Sequence, residues 1–329
     1  MHLIPFTKEY YPAAAMLAAN NHAQEMSYVP SLPTRSAEHY LPLFERIGKR
    51  GPGVAAVEAD GTLLGYIIGS AVPNFKGTQR GVHVPEWANA TIGTDRYALI
   101  RALYTAVAEK WVENGCFTHA ISLYAHDEVA LNTWFRTAFG MICGDGVRDL
   151  TPVQGFIAQD IEIRRATTAD VELFLPLVHE HSRYYPTSPL FMPLLSLDDR
   201  AHYEEWLGKD NHNFWLALDH GEPIGYFESS PSHPGACELI KDPGTCSVCG
   251  AFVKPGIRKS GVGAALLSRV IDWAKENNYE RCAVDYETHN TYGSRFWLKH
   301  FTPVTASVIR TVDERVAWAH SKRCEESIW

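Results

Sequence analysis

Apolar positions along this chain alternate between two rhythms, short runs with strand spacing and longer runs with helical spacing. The first half opens with a strand at residues 3–6 and a helix around 13–19. Strands follow near 54–58 and 63–70, then a helix around 97–113, a strand around 119–124 and a helix around 128–135. From residues 161–165 the series begins again, with strands near 214–218 and 224–229. Turn-forming triplets sit where hairpins need them, Ala59-Asp60-Gly61 in one half and Asp219-His220-Gly221 in the other. A strand over 247–253 then feeds a run with Val262, Leu266, Val270, Ile271 and Ala274 on one helical face. The pattern predicts a mixed α/β fold, built twice.

Individual residues repeat as well. Gly65-Tyr66 matches Gly225-Tyr226 at a separation of 160 (225 − 65). Trp111 and Trp273, Tyr124 and Tyr286, and Phe139 and Phe301 match in the same order, each separated by 162 (273 − 111). A nearly constant offset points to duplication. The polar stretch at 152–159 is the expected boundary, giving domains at 1–152 and 160–329.

The densest signal is Val253-x-Pro255-x-x-Arg258-x-x-Gly261-x-Gly263, between the strand at 247–253 and the helix after it. Backbone N–H groups at a helix N-terminus point at an anion, and glycine removes the Cβ that blocks close approach. Two glycines at a helix start cost roughly 1 kcal/mol each relative to alanine. Phosphate binding supplies a reason; simple capping or close packing is the bland alternative. The first half lacks the signal: an offset of 162 puts Arg96, Leu99 and Arg101 where the second half has Arg258, Gly261 and Gly263.

This loop resembles the acetyl-CoA pyrophosphate loop of the GNAT acyltransferases. Asn290-x-x-Gly293-x-x-x-Trp297-x-x-x-Phe301 is similar to that family's following helix. The resemblance covers roughly residues 161–316, and the first half by internal homology only. It implies two tandem GNAT-like folds, α/β with a mixed sheet, the first copy degenerate; that layout is similar to the mycothiol synthases. It further implies that Phe252 and Val253 offer backbone groups to pantetheine. Arg258, Lys259, Ser260, Gly261, Val262, Gly263 and Ala264 wrap the pyrophosphate, and Asn290 bonds the pantetheine chain. The expected activity is acetyl transfer from acetyl-CoA to a small-molecule or peptide amine by direct attack in a ternary complex. A non-catalytic acyl-CoA-binding protein is the alternative, and transfer of a longer acyl group is another, which the bulky Phe252 opposes.

The catalytic groups are less legible. Where relatives place an acidic tyrosine this chain has Trp297, whose indole N–H has no useful acidity. Tyr292 is the nearest substitute acid, with Tyr286 next. Ser247 stands where some relatives have a glutamate base, leaving Glu228 and Glu238 as candidate carboxylates. Tyr184 and Tyr185 lie between the first two helical regions of the second half, which in this family border the acceptor, so they are candidate substrate contacts.

Composition removes other classes. A net charge of −8 argues against nucleic acid, and no apolar run approaches the length of a membrane helix. The N-terminus lacks the regions of a signal peptide, and seven cysteines suggest reduced thiols, so a cytoplasmic location is expected. Cys246-x-x-Cys249 is a single pair and His179-Glu180-His181 lacks HExxH spacing, so no metal is expected. Lys259-Ser260 lacks the glycines of a Walker loop, and Gly-x-Ser-x-Gly is absent.

Overall fold

The structure is a computed structural model and describes residues 1–153, 161–194 and 197–316. From residue 154 onward, the expected 152–159 boundary lies outside the described residues.

The chain runs through β1 (His2–Pro5), α1 (Tyr11–Tyr28), α2 (Ala37–Ile47), β2 (Gly53–Val57), β3 (Leu63–Ile68), β4 (Ser70–Val72), β5 (Arg80–Val84) and β6 (Asn89–Thr91). It continues with α3 (Arg96–Glu113), β7 (Cys116–Tyr124), α4 (Glu128–Phe135) and β8 (Gly140–Asp149). Then come β9 (Ile161–Arg165), α5 (Val171–Tyr184), α6 (Arg200–Gly208), β10 (Asn213–Asp219), β11 (Glu222–Pro231) and β12 (Thr245–Val253). The series closes with α7 (Val262–Glu276), β13 (Arg281–Glu287), α8 (Thr291–His300), β14 (Thr302–Pro303) and β15 (Thr305–Thr311). The expected mixed α/β plan is present twice. The expected strand over 63–70 is divided into β3 and β4.

Two compact units result. Among the described residues, the first holds Met1–Pro30, Thr34–Cys143 and 304–316; the second holds Ser31–Pro33 and Gly144–Pro303. The closing strands are thus exchanged relative to the sequence halves. Residues 144–149 of β8 come from the first half and lie in the second unit, while β15 comes from the second half and lies in the first.

In the first unit, β1-β2-β3-β6 form an antiparallel sheet, and β4, β5, β7, β15 and the start of β8 lie side by side in that order. In the second, the rest of β8 is followed by β13, β12, β11, β10 and β9. The β10–β11 hairpin turns at His220 (φ 48°) and Gly221 (φ 86°), a left-handed pair suited to the twist of a tight hairpin. Glycine marks the other hairpin too, with Gly61 at φ 87° and the Asp60 carboxylate accepting from Thr62 N–H at 2.9 Å.

The predicted apolar face of α7 is buried: Val262, Leu266, Val270, Ile271 and Ala274 pack with Phe227, Val248 and Val284. Opposite sheet residues pack with α5 and α6, where Phe174, Leu177 and Tyr203 meet Phe214, Tyr226 and Phe252. Alternation along β11 decides this division, sending Phe227 to the α7 face and Tyr226 to the α5–α6 face.

Candidate functional site

In the second unit, β12 pairs in parallel with β13 only from Thr245 to Val248, opposite Arg281 to Val284. Beyond that point β12 continues to Val253 and β13 to Glu287 without pairing. On its other edge β12 stays paired with β11 up to Val253. Residues 249–253 therefore present one edge of backbone N–H and C=O groups that no strand among the described residues pairs.

The loop leaving this edge begins with a 3-10 turn at Pro255–Ile257. Lys259 (φ 71°) and Gly261 (φ 95°) then adopt left-handed conformations. Gly261 is the N-cap of α7, and no side chain among the described residues caps that helix. The first helical bond runs from Ala265 N–H to Gly261 C=O at 3.0 Å, so the preceding N–H groups have no intrahelical acceptor. Of the two motif glycines, Gly261 is required by its backbone, and Gly263 packs closely, a Cβ there meeting Phe296 Cε2 at 3.2 Å. The packing explanation weighed for Gly263 from the sequence thus has a contact behind it. Lys259 and Ser260 are exposed on the loop, whereas Val262 points into the core and Ala264 is half-buried in the first turn of the helix.

Arg258 gathers several of the expected residues. Its Nε–H donates to Val253 C=O at 3.2 Å, and its guanidinium carbon lies 4.9 Å from the Tyr184 ring, 4.8 Å from Tyr292 and 5.9 Å from Phe252. Cation–aromatic attraction holds the side chain between α5 and α8. Asn290 is the N-cap of α8, its Oδ1 accepting from Gly293 N–H at 3.1 Å. One end of that amide is therefore committed to the helix.

On the α5–α6 face, Glu228 lies directly opposite Gly250, with a register shift between Glu228 and Ser229. A Cβ on Gly250 would come within 2.9 Å of the Glu228 carboxyl, so glycine leaves room for that group against the unpaired part of β12. Tyr203 Oη donates to Glu228 Oε1 at 3.2 Å. Desolvation pushes the Glu228 carboxyl up to about 7; the Tyr203 bond lowers it and the Asp198 charge raises it. By accessible surface the side chain is half-buried.

The surrounding groups are shifted in kind. Burial drives His181 down to about 4, assisted by Arg258, leaving a neutral imidazole whose Nδ1 lies 2.7 Å from Tyr226 Oη. Its ring stacks on Phe252 at 5.0 Å. Tyr185 is pushed up to about 12 by burial and by Glu287, Asp285 and Glu228. Cys249 rises to about 12 by burial, with Glu228 and Asp285 adding to the rise, which makes it a poor nucleophile.

The other expected groups lie elsewhere. Tyr292 is exposed on α8 beside Arg258, and Tyr286 and Trp297 are buried in the α7-side core. Ser247 accepts from His233 N–H at 3.2 Å, and Glu238 lies 3.9 Å from Lys241 Nζ. Tyr184 is the last residue of α5 rather than part of a connecting loop. Sequence reasoning missed His181, Tyr203, Asp198 and Gly250; an isolated glycine inside a strand was the available signal for the last. Among the described residues no group of three or more His, Cys, Asp or Glu is arranged to hold a metal. No helix among them is long and apolar enough to cross a membrane.

Residues 175–301 match the acetyltransferase (GNAT) family. A GCN5-related N-acetyltransferase from Sphaerobacter thermophilus has a similar structure, with a TM-score of 0.58 at 14% identity over 94% of this chain and 95% of that one. A GCN5-related N-acetyltransferase from Kribbella flavida gives 0.41 at 15% identity over 97% of this chain and 72% of that one. AAC(6')-Iy, in complex with the bisubstrate analogue CoA-S-monomethyl-acetylneamine, gives 0.34 at 24% identity over 42% and 88%. Comparison with curated proteins finds no match. The family match runs from within α5 to the end of α8, less than half of the chain, and the Sphaerobacter protein shares the fold over nearly all of it.

Proposed function

We propose that this chain transfers an acetyl group from acetyl-CoA to an amine, with the cosubstrate held in the second unit and the first unit a degenerate copy. The observation that carries the reading is the parting of β12 from β13 beside the uncapped start of α7. The unused edge at residues 249–253 suits the amide groups of pantetheine, with Phe252 and Val253 contributing backbone only. The N–H groups of Gly261, Val262, Gly263 and Ala264 suit the pyrophosphate, with Arg258, Lys259 and Ser260 around it. Asn290 Nδ2, on the amide whose oxygen caps α8, is a donor for the pantetheine arm.

Glu228 is the base in this scheme. A carboxyl held near 7 is ionised enough at neutral pH to accept a proton and basic enough to draw one from an ammonium. The amine nitrogen, having given its proton to Glu228, attacks the thioester carbonyl carbon. The C–N bond forms and the C–S bond breaks, its electron pair leaving on sulfur. Backbone N–H groups of the unused β12 edge stabilise the oxygen charge between these events. The thiolate takes a proton from the Tyr292 hydroxyl, the candidate acid, and the second proton lost by the nitrogen returns through water to the Tyr292 oxygen. Tyr184 and Tyr185 border the acceptor. No covalent enzyme intermediate is required, and the shifted Cys249 does not offer one.

A second reading, a non-catalytic acyl-CoA-binding protein, draws on Trp297 and Ser247, both committed to structural contacts. Thiol release by the full chain, given acetyl-CoA and a panel of small and peptide amines, separates the two. Amine-dependent release supports transfer; acetyl-CoA binding without release from any amine supports the second reading.

A further inference from the structure

Glu228 is surrounded by groups from four elements. Tyr203 reaches it from α6, Asp198 from the segment before α6, Tyr185 from the end of α5, and Cys249 from β12, while Tyr226 shares its strand. Only Tyr203 makes a hydrogen bond to the carboxyl among the described residues. Its ring is wedged between Phe174 (5.2 Å) and Phe214 (5.7 Å), both edge to face, and is almost fully buried. The hydroxyl therefore has little freedom to turn elsewhere. On the far side, Gly250 leaves the space into which the carboxyl settles.

We propose that Tyr203 is a positioning residue for acid–base chemistry at Glu228, its hydroxyl fixing the carboxylate over Gly250 and stabilising the ionised form that accepts the proton. The inference rests on reading Glu228 as the base. A phenol this deeply buried, beside a carboxylate, has its own ionisation pushed far up, so it donates a hydrogen bond without surrendering its proton. Opposing it, the Asp198 charge favours the protonated acid. Its backbone is held by His179, whose Nε2 lies 2.8 Å from Asp198 C=O. The geometry thus sets two antagonists on one carboxyl, a donor that favours ionisation and a like charge that opposes it.

The test is the pH profile of kcat/KM with saturating acetyl-CoA. Tyr203→Phe keeps the ring and removes the donor, and is expected to move the acid limb up by about one pH unit. The rate at pH 7 then falls severalfold while the high-pH plateau and the KM for acetyl-CoA hold. Incorporation of 3-fluorotyrosine at position 203 supplies a stronger donor in nearly the same volume and moves the limb down. Asp198→Asn also moves it down. A lower melting temperature for Tyr203→Phe with an unmoved limb overturns the proposal, since a purely structural tyrosine behaves that way. If Tyr203→Phe does not fold, an unmoved limb in the fluorotyrosine protein overturns it instead. Glu228→Gln distinguishes failure of the underlying reading: an acid limb that survives this change means Glu228 is not the base. A limb lost in Glu228→Gln but unmoved in both position-203 proteins removes only Tyr203's role.

Discussion

Helix α3 follows β6, paired antiparallel with β3, and helix α7 follows β12 where it has parted from β13, and the first turns of the two helices are capped in opposite ways. At α7 the N-cap is Gly261, with no side-chain cap. At α3 it is Asp95, whose carboxylate accepts from Ala98 N–H at 3.0 Å. A donor that phosphate would use is occupied, and by a negative charge. With Trp111 aligned on Trp273, α3 at 18 residues against 15 gains about one turn at its start, where α7 has its loop. Arg96 then turns to Asp127, donating from Nη1 at 3.1 Å and also pairing through Nη2, and its Nε–H donates to Thr91 Oγ1. It sits at the edge of a small cavity lined by Thr91, Ile100, Leu123 and Trp134. On the strands, Ile68, buried in the first core, stands where the second unit has Glu228, given the Gly65–Gly225 match. In the proposed reading, the first unit lacks the chemistry of the second through a cap, a helical turn and one carboxyl.

Making the second cleft resemble the first tests this comparison most severely. Glu228→Ile is expected to lower kcat/KM by about a hundredfold to ten-thousandfold, leaving acetyl-CoA affinity by calorimetry unchanged. Retained turnover would remove Glu228 from the mechanism. Gly261→Asp copies the α3 cap and is expected to weaken acetyl-CoA binding by about thirtyfold to a hundredfold, through like charge and left-handed strain. Gly261→Ala carries the strain alone, so equal losses in the two variants would show that charge is irrelevant. Tyr292→Phe retains the ring beside Arg258 and is expected to lower kcat by about threefold to tenfold at constant acetyl-CoA affinity. An unchanged kcat excludes the hydroxyl as acid.

Smaller effects fall on stability. Glu228 has a folded-state pKa raised from 4.5 to about 7, so its contribution is complete below the unfolded value and lost as pH rises through the folded one. Glu228→Gln abolishes that loss, and its stability relative to the parent protein should rise by about 1–2 kcal/mol between pH 5 and pH 8. Parallel melting curves across that range would contradict the shift. Asp95→Ala uncaps α3 at a cost of about 1 kcal/mol. The acetyl-CoA stoichiometry should stay at one per chain; two would mean that the cap alone closes the first cleft.

Much of this was legible from local pattern. The helix at 128–135 and the strand at 161–165 agree with α4 and β9 to the residue, because apolar spacing and turn residues act locally. The loop at 253–263 was visible because left-handed backbone leaves glycine behind it. Long-range pairing left no such trace. Tyr203 and Glu228 are 25 positions apart on different elements, and strand alternation assigns Glu228 a face without naming what waits there. The exchange of closing strands was equally hidden, since β15 has the same alternation whichever unit it joins.

That exchange bears on how the chain is made. In the first unit β15 lies between β7 and β8, pairing Thr305 with Tyr124 and Ser307 with Cys143. An interior strand of the first unit is thus synthesised only after the residues of the second unit. The second unit takes residues 144–149 without any such delay. Vectorial synthesis would leave the first unit's sheet open at an inner position until β15 emerges, an interval in which its unpaired edges are open to chaperones and to other nascent chains.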